Sequence, residues 1–139
     1  MDANTVVSAA LNPNGIPRRA MALARAKGTI VLSEAVYAEI AEVLARPKFA
    51  RVLTDDRRRE ILELLSAAAL WVEPRETVWD CRDSKDNRYL ELALAAKATV
   101  IVSGDADLLV LHPWRGVQVM RHAAFLCEFG VGWPRIYTN

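Results

Sequence analysis

Residues 99–109 read TVIVSGDADLL, and this stretch decides the fold. Thr99, Val100, Ile101 and Val102 form the β-branched apolar run of a strand buried on both faces. Ser103 and Gly104 end the run, and Asp105 and Asp107 follow at once. Ligands of open α/β sheets gather just outside the carboxyl ends of the strands. A strand that ends in Ser-Gly-Asp therefore puts an acid where such proteins do chemistry.

Outward from that strand, helical and extended patterns alternate. Upstream, Asp86 begins a helix with Leu90, Ala93 and Leu94 inward. A polar loop over 75–85 precedes it, carrying Trp79 and Cys81, and a short strand over 70–73 precedes the loop. Thr54 is a natural N-cap, with Asp55 and Asp56 in the favourable first turn of a helix that runs to about Ala69. Ser33 caps another helix, with Val36, Ile40, Val43 and Leu44 on one stripe, after a buried strand over 29–32. Residues 5–11 and 17–27 read as helices, the second opened by Pro17 and stopped by Gly28. Downstream, a short helix over 106–111, a strand over 117–120 and a helix over 122–129 complete the pattern. Strands separated by helices give an α/β protein with a mainly parallel sheet.

The bulk numbers agree. A chain of 139 residues with 53% hydrophobic content has the length of one domain and enough apolar residues for a real core, which excludes a disordered chain. The net charge of +1 selects neither nucleic acid nor membrane as partner. Cys81 and Cys127 lie far apart without CxxC spacing, which speaks against a zinc site or a disulfide framework. No apolar run approaches the ~20 residues that span a bilayer. The expectation is a cytoplasmic protein without membrane association.

Three acids matter together. Asp105 alone is ordinary turn chemistry, and Asp86 alone is a helix N-cap. Glu39 sits on the edge of the buried stripe of its helix, so its carboxylate either snorkels or faces a cleft. Right-handed winding of the sheet would bring all three to one end. Clustered carboxylates repel unless one is protonated or a cation sits among them. An all-oxygen set without His or Cys suits Mg²⁺ or Mn²⁺. Such an ion activates water and offsets charge on a phosphodiester.

These residues resemble a known family. Asp2-x-Asn4, Glu39 in SEAVYAEI, Asp86 in RDSKDNRYLELALA and Asp105 in VSGDADLL occur in the order and spacing of the PIN-domain nucleases, most like the bacterial toxin components of toxin–antitoxin modules (VapC-like). The resemblance implies a three-layer α/β/α sandwich with a parallel sheet of four or five strands, spanning residues 1–126, with 127–139 as a C-terminal tail. It implies a metal-dependent ribonuclease acting on single-stranded RNA, an antitoxin protein as partner and a homodimer. Asp2, Glu39, Asp86 and Asp105 would be the metal-binding acids, with Asp107 auxiliary, Asp83 more of a loop acid, and Asn4 and Ser103 supporting by hydrogen bonds. In that family a hydrophobic strand precedes the first acid. Only Met1 stands before Asp2 here, so the first strand is expected to be truncated. Lys97 stands where a glycine often ends the helix.

An acidic centre needs cations around it to hold RNA. Arg46, Lys48 and Arg51 follow the Glu39 helix, and Lys85 and Arg88 flank Asp86. Arg57, Arg58 and Arg59 read as a solvated face paired with neighbouring acids. Trp79 and Trp114 either stack on bases or pack in a core or interface. The alternative function is a non-catalytic PIN-like domain that binds RNA or protein. A phosphoryl-transfer domain of the receiver or haloacid-dehalogenase kind is disfavoured, because no DxDxT run occurs.

Overall fold

The computed structural model describes residues 1–130. Local signals in the chain account for most element boundaries. Asp2 caps α1 (Ala3–Leu11), and Gly15 precedes α2 (Ile16–Lys27), where Pro17 occupies a first-turn position whose N–H would be unpaired anyway. After β1 (Val31–Leu32), the Ser33 hydroxyl accepts the Val36 N–H at 3.2 Å and opens α3 (Glu34–Leu44). The Thr54 hydroxyl accepts the Arg57 N–H at 3.1 Å and opens α4 (Asp55–Ala68). There follow β2 (Leu70–Trp71), α5 (Asn87–Ala96), β3 (Val100–Val102), α6 (Ala106–Leu109), β4 (Gln118–Met120) and α7 (His122–Phe129). Helix α7 runs across the expected boundary at residue 126, and the part of the expected tail beyond Gly130 lies outside the described residues.

The strands depart from a continuous sheet of four or five. Among the described residues they form two parallel pairs, β1 with β2 and β3 with β4. Met1 and Asp2 stand beside the gap between the pairs. Those two residues supply one ladder-like bond to β3, from the Asp2 N–H to the Val102 carbonyl at 3.0 Å. An opening of about 520 Å³ remains, lined by Ile30 and Val31 on one side and Val100 and Val102 on the other. The strands are also shorter than their apolar runs. Thr99 and Ile30 each still lend a carbonyl to the neighbouring strand.

Helices therefore carry much of the packing. Helix α1 packs on α2 and α3, α2 on α7, and α5 on α3, β1 and β3. The main core runs from Val6 and Val7 through Leu32, Ile40 and Leu90 to Ile101 and Leu108. A smaller cluster joins Ala20, Leu23, Val102 and Phe125, and Met1 touches both. Cys81 is buried, Cys127 is exposed, and both are free thiols. Among the described residues no helix is long and apolar enough to cross a membrane. The result is an α/β architecture of PIN type.

Lys97 ends α5 in the left-handed region, at φ 53° and ψ 42°, where a Cβ is strained and glycine is not. Lys97→Gly should therefore raise stability by ~0.5–1 kcal/mol, read as a higher denaturant midpoint at unchanged slope.

Candidate functional site

The site starts from the first residues of the chain. Asp2 is only 4% exposed, and both of its carboxylate oxygens are committed. One accepts the Thr5 N–H at 2.9 Å and caps α1; the other accepts the Ser103 hydroxyl at 2.5 Å. A carboxylate at a helix N-terminus gains from the dipole as well as from the hydrogen bond. Ser103 in turn accepts the Asp105 N–H at 3.0 Å, which ties the end of β3 to the start of α1. The expected support from Ser103 is thus made. That from Asn4 is not: Asn4 is exposed on α1, with no side-chain partner among the described residues. The neighbour that Asp2 holds is the backbone of Thr5 instead.

Asp105 uses one oxygen to accept the Asp107 N–H at 2.8 Å, so it caps α6 as turn chemistry predicts. Asp86 is its neighbour in the site, near enough for the Asp105 charge to act on the Asp86 carboxyl. Asp86 occupies the N-cap position of α5 but makes no capping bond, because its backbone is helical there, at φ −79° and ψ −12°. The side chain is freed to face Asp105. One of its oxygens is buried with no hydrogen-bond partner. Burial first, then the charge of Asp105, then Asp83 and Glu39, push the Asp86 carboxyl up to about 7 from an ordinary 3.8. Near neutral pH the Asp86 carboxyl is therefore part-protonated.

Glu39 projects from α3 toward α5. The Tyr89 hydroxyl donates to its carboxylate, and the same hydroxyl accepts the Ala3 N–H at 3.0 Å. Arg88 forms an ion pair with Glu39 at 3.1 Å. Its guanidinium also donates to the Lys85 carbonyl at 2.8 Å. Arg88, expected on RNA, thus sits on an acid of the cluster. Burial and the hydrogen bond to Glu39 push the Tyr89 phenol well above its ordinary value, so it stays a donor. Sequence reasoning missed Tyr89. Its signal was position: three residues beyond Asp86, one turn along the same helix.

The remaining acids are more peripheral. Asp83 is exposed and accepts the Lys85 N–H at 3.1 Å, at the start of a 3-10 turn. Asp107 is half-buried, and its carbonyl receives the Cys81 thiol at 3.6 Å. Burial pushes that thiol up, and the charges of Asp86, Asp107 and Asp105 add to the effect. Arg46, Lys48, Arg51 and Lys85 are exposed, and Lys48 lies 5.0 Å over the Phe49 ring.

The acids occupy one neighbourhood without meeting at one point. Among the described residues no three His, Cys, Asp or Glu side chains are placed to hold an ion together. Asp2 is saturated by Thr5 and Ser103, Glu39 is held by Tyr89 and Arg88, and Asp105 accepts the Asp107 N–H beside Asp86. The donor chemistry still suits a hard divalent cation. Every candidate ligand is an oxygen, and the orphaned oxygen of Asp86 lacks a partner that a cation would supply.

The Asp86 shift has a consequence for stability in EDTA. The unfolded chain loses this proton near 3.8 and the folded protein near 7, so the folded state binds one proton more in that interval. Stability should fall as pH rises through the interval and level off above about 7. Asp86→Asn should flatten that slope, as measured by urea midpoints across the same pH range.

Residues 1–107 match the PIN domain family model. The chain is similar, at 32% identity over 114 residues, to an uncharacterized protein of Methanocaldococcus jannaschii, MJ1680, covering 81% of this chain and 73% of that protein. No solved structure matches the chain. PIN domains are in general metal-dependent nucleases, and the chain, matched over most of its length, belongs to the PIN domain family.

Proposed function

We propose that the chain is a Mg²⁺- or Mn²⁺-dependent endoribonuclease that hydrolyses phosphodiester bonds of single-stranded RNA, and that it serves as the toxin of a toxin–antitoxin pair. The observation that carries this reading is the Asp86–Asp105 pair. Two neighbouring carboxyls, one with a buried and unsatisfied oxygen, create a demand for positive charge that a divalent ion would meet. Bound there, such an ion would offset the charge of the acids and of the phosphodiester and lower the pKa of water.

The chain's own residues supply the rest. Asp86 and Asp105 would be the central ligands of such an ion, and Glu39 would be a third. Tyr89 orients the Glu39 carboxylate. Arg88, a part-buried guanidinium beside the acids, would suit a phosphate. Asp2 acts on the geometry of the centre by fixing Ser103 and through it the Asp105 backbone.

A groove between α1, α2 and α4 supports the partner half of the proposal. It is lined by Ala9, Met21, Ile61 and Leu64 and bordered by Arg18, Arg25 and Arg57. An apolar helical segment with acidic flanks, the chemistry proposed for the antitoxin, matches that surface. A homodimer and a cytoplasmic location complete the reading.

A second reading, a PIN-like domain that binds RNA or protein without turnover, draws on the lack of three converging acids among the described residues. One experiment separates the two. Purified protein is incubated with single-stranded RNA and Mn²⁺ or Mg²⁺, with EDTA as control. Cleavage should require the metal and fall at least ~100-fold in Asp86→Asn, the scale of losing one electrostatic stabiliser. Cleavage that survives EDTA, or survives Asp86→Asn, would falsify the metal-dependent mechanism. Binding without turnover would favour the second reading.

A further inference from the structure

We propose that Trp79 is a stacking platform for an unpaired nucleobase, forming a binding subsite beside the acidic centre; the choice of nucleic acid rests on the nuclease reading above. Trp79 is 80% exposed, the most exposed large hydrophobic side chain among the described residues. Trp114, its counterpart in the sequence, is buried at 6%. One of the two tryptophans is core, and the other is held in water.

The exposure does not come from a loose loop. Val78 is buried, and its N–H donates to the Glu91 carboxylate at 2.9 Å. The Asp80 carboxylate accepts the Trp114 indole N–H at 2.8 Å and pairs with Arg115 at 3.3 Å. Cys81 is buried, and its N–H donates to the Asn87 side chain at 2.8 Å. Residues on both sides of Trp79 are tied to α5 and to the turn around Trp114, so the indole between them is presented from an anchored backbone. Little backbone entropy remains to be lost when a planar ligand lands on it.

The position suits a nucleic acid that threads toward the acids. The Cys81 thiol contacts the Asp107 carbonyl and feels the charges of Asp86 and Asp105. Trp79 is two residues away, a reach of roughly 7 Å along the chain. Arg82 and Lys85, just beyond, are exposed and without ion pairs among the described residues, so they are available to phosphates. An aromatic face next to unpaired cations is the arrangement that grips single strands. A duplex keeps its base faces stacked internally and cannot use it.

The test measures binding in EDTA, where cleavage is suppressed, using a short end-labelled single-stranded RNA. Anisotropy gives the affinity, and tryptophan emission reports stacking. The wild-type protein should bind with quenched emission, and a duplex of the same sequence should give no such quench. Trp79→Ala should lose the quench and weaken binding about 5- to 100-fold, with an unchanged thermal midpoint. Trp79→Phe, which keeps a flat face, should recover most of the affinity. If no cleavage occurs with metal while Trp79-dependent quenching persists, the nuclease reading falls and the stacking subsite stands. Unchanged affinity in Trp79→Ala, or no binding of single-stranded RNA by wild type, overturns the proposal. A Trp79 that instead mediates capture of a protein overturns it as well.

Discussion

The carboxylate of Asp2 is the constraint on which the rest of the structure depends. It is a buried acid, and an uncompensated charge there would be very costly. The protein compensates with the N-terminus of α1, a hydrogen bond from the Thr5 amide and another from Ser103. Each of those partners belongs to a different part of the fold. Satisfying one side chain therefore docks the first helix onto the end of β3. Since Ser103 also accepts the Asp105 amide, the same device sets the position of an acid more than a hundred residues away.

Around this anchor the other acids are held in a state of tension. Burial, and then the charge of Asp105, raise the Asp86 carboxyl to about 7, so Asp86 keeps its proton to higher pH than an ordinary carboxyl. Glu39 is faced by Arg88 and Tyr89. Tyr89 also takes the Ala3 amide, so α1, α3 and α5 meet through one phenol. The centre is thus pre-built in its backbone and closed in its side chains. A divalent ion would replace the proton and the arginine as sources of positive charge.

A gap separates the two strand pairs. Each pair is parallel and short, and a single bond from Asp2 reaches across to β3. The acids of the centre nonetheless stand in the right neighbourhood, because α1, α3 and α5 are packed by their own apolar stripes around Ile40, Leu90 and Val6. Helix packing holds the position that a continuous ladder would otherwise hold.

The sequence by itself determined the order and type of the elements. Ser33, Thr54 and Asp105 act as caps within a few residues of themselves, Pro17 and Gly28 bound α2, and the VIV run becomes β3. These are local effects, decided by backbone propensity and hydrogen bonds across one turn, so they are legible from adjacent letters. The same letters marked Glu39, Asp86 and Asp105 as a candidate set. Only the tertiary structure decided what each acid touches. Asp86 turns from its capping position to Asp105, Arg88 goes to Glu39, Asn4 stays in solvent, and Tyr89 bridges residues 86 and 50 positions away. Trp114 is buried and Trp79 left out although each is followed directly by a charged residue. Such outcomes depend on burial and on charges brought from distant segments, and neither is encoded in the few residues around a given side chain.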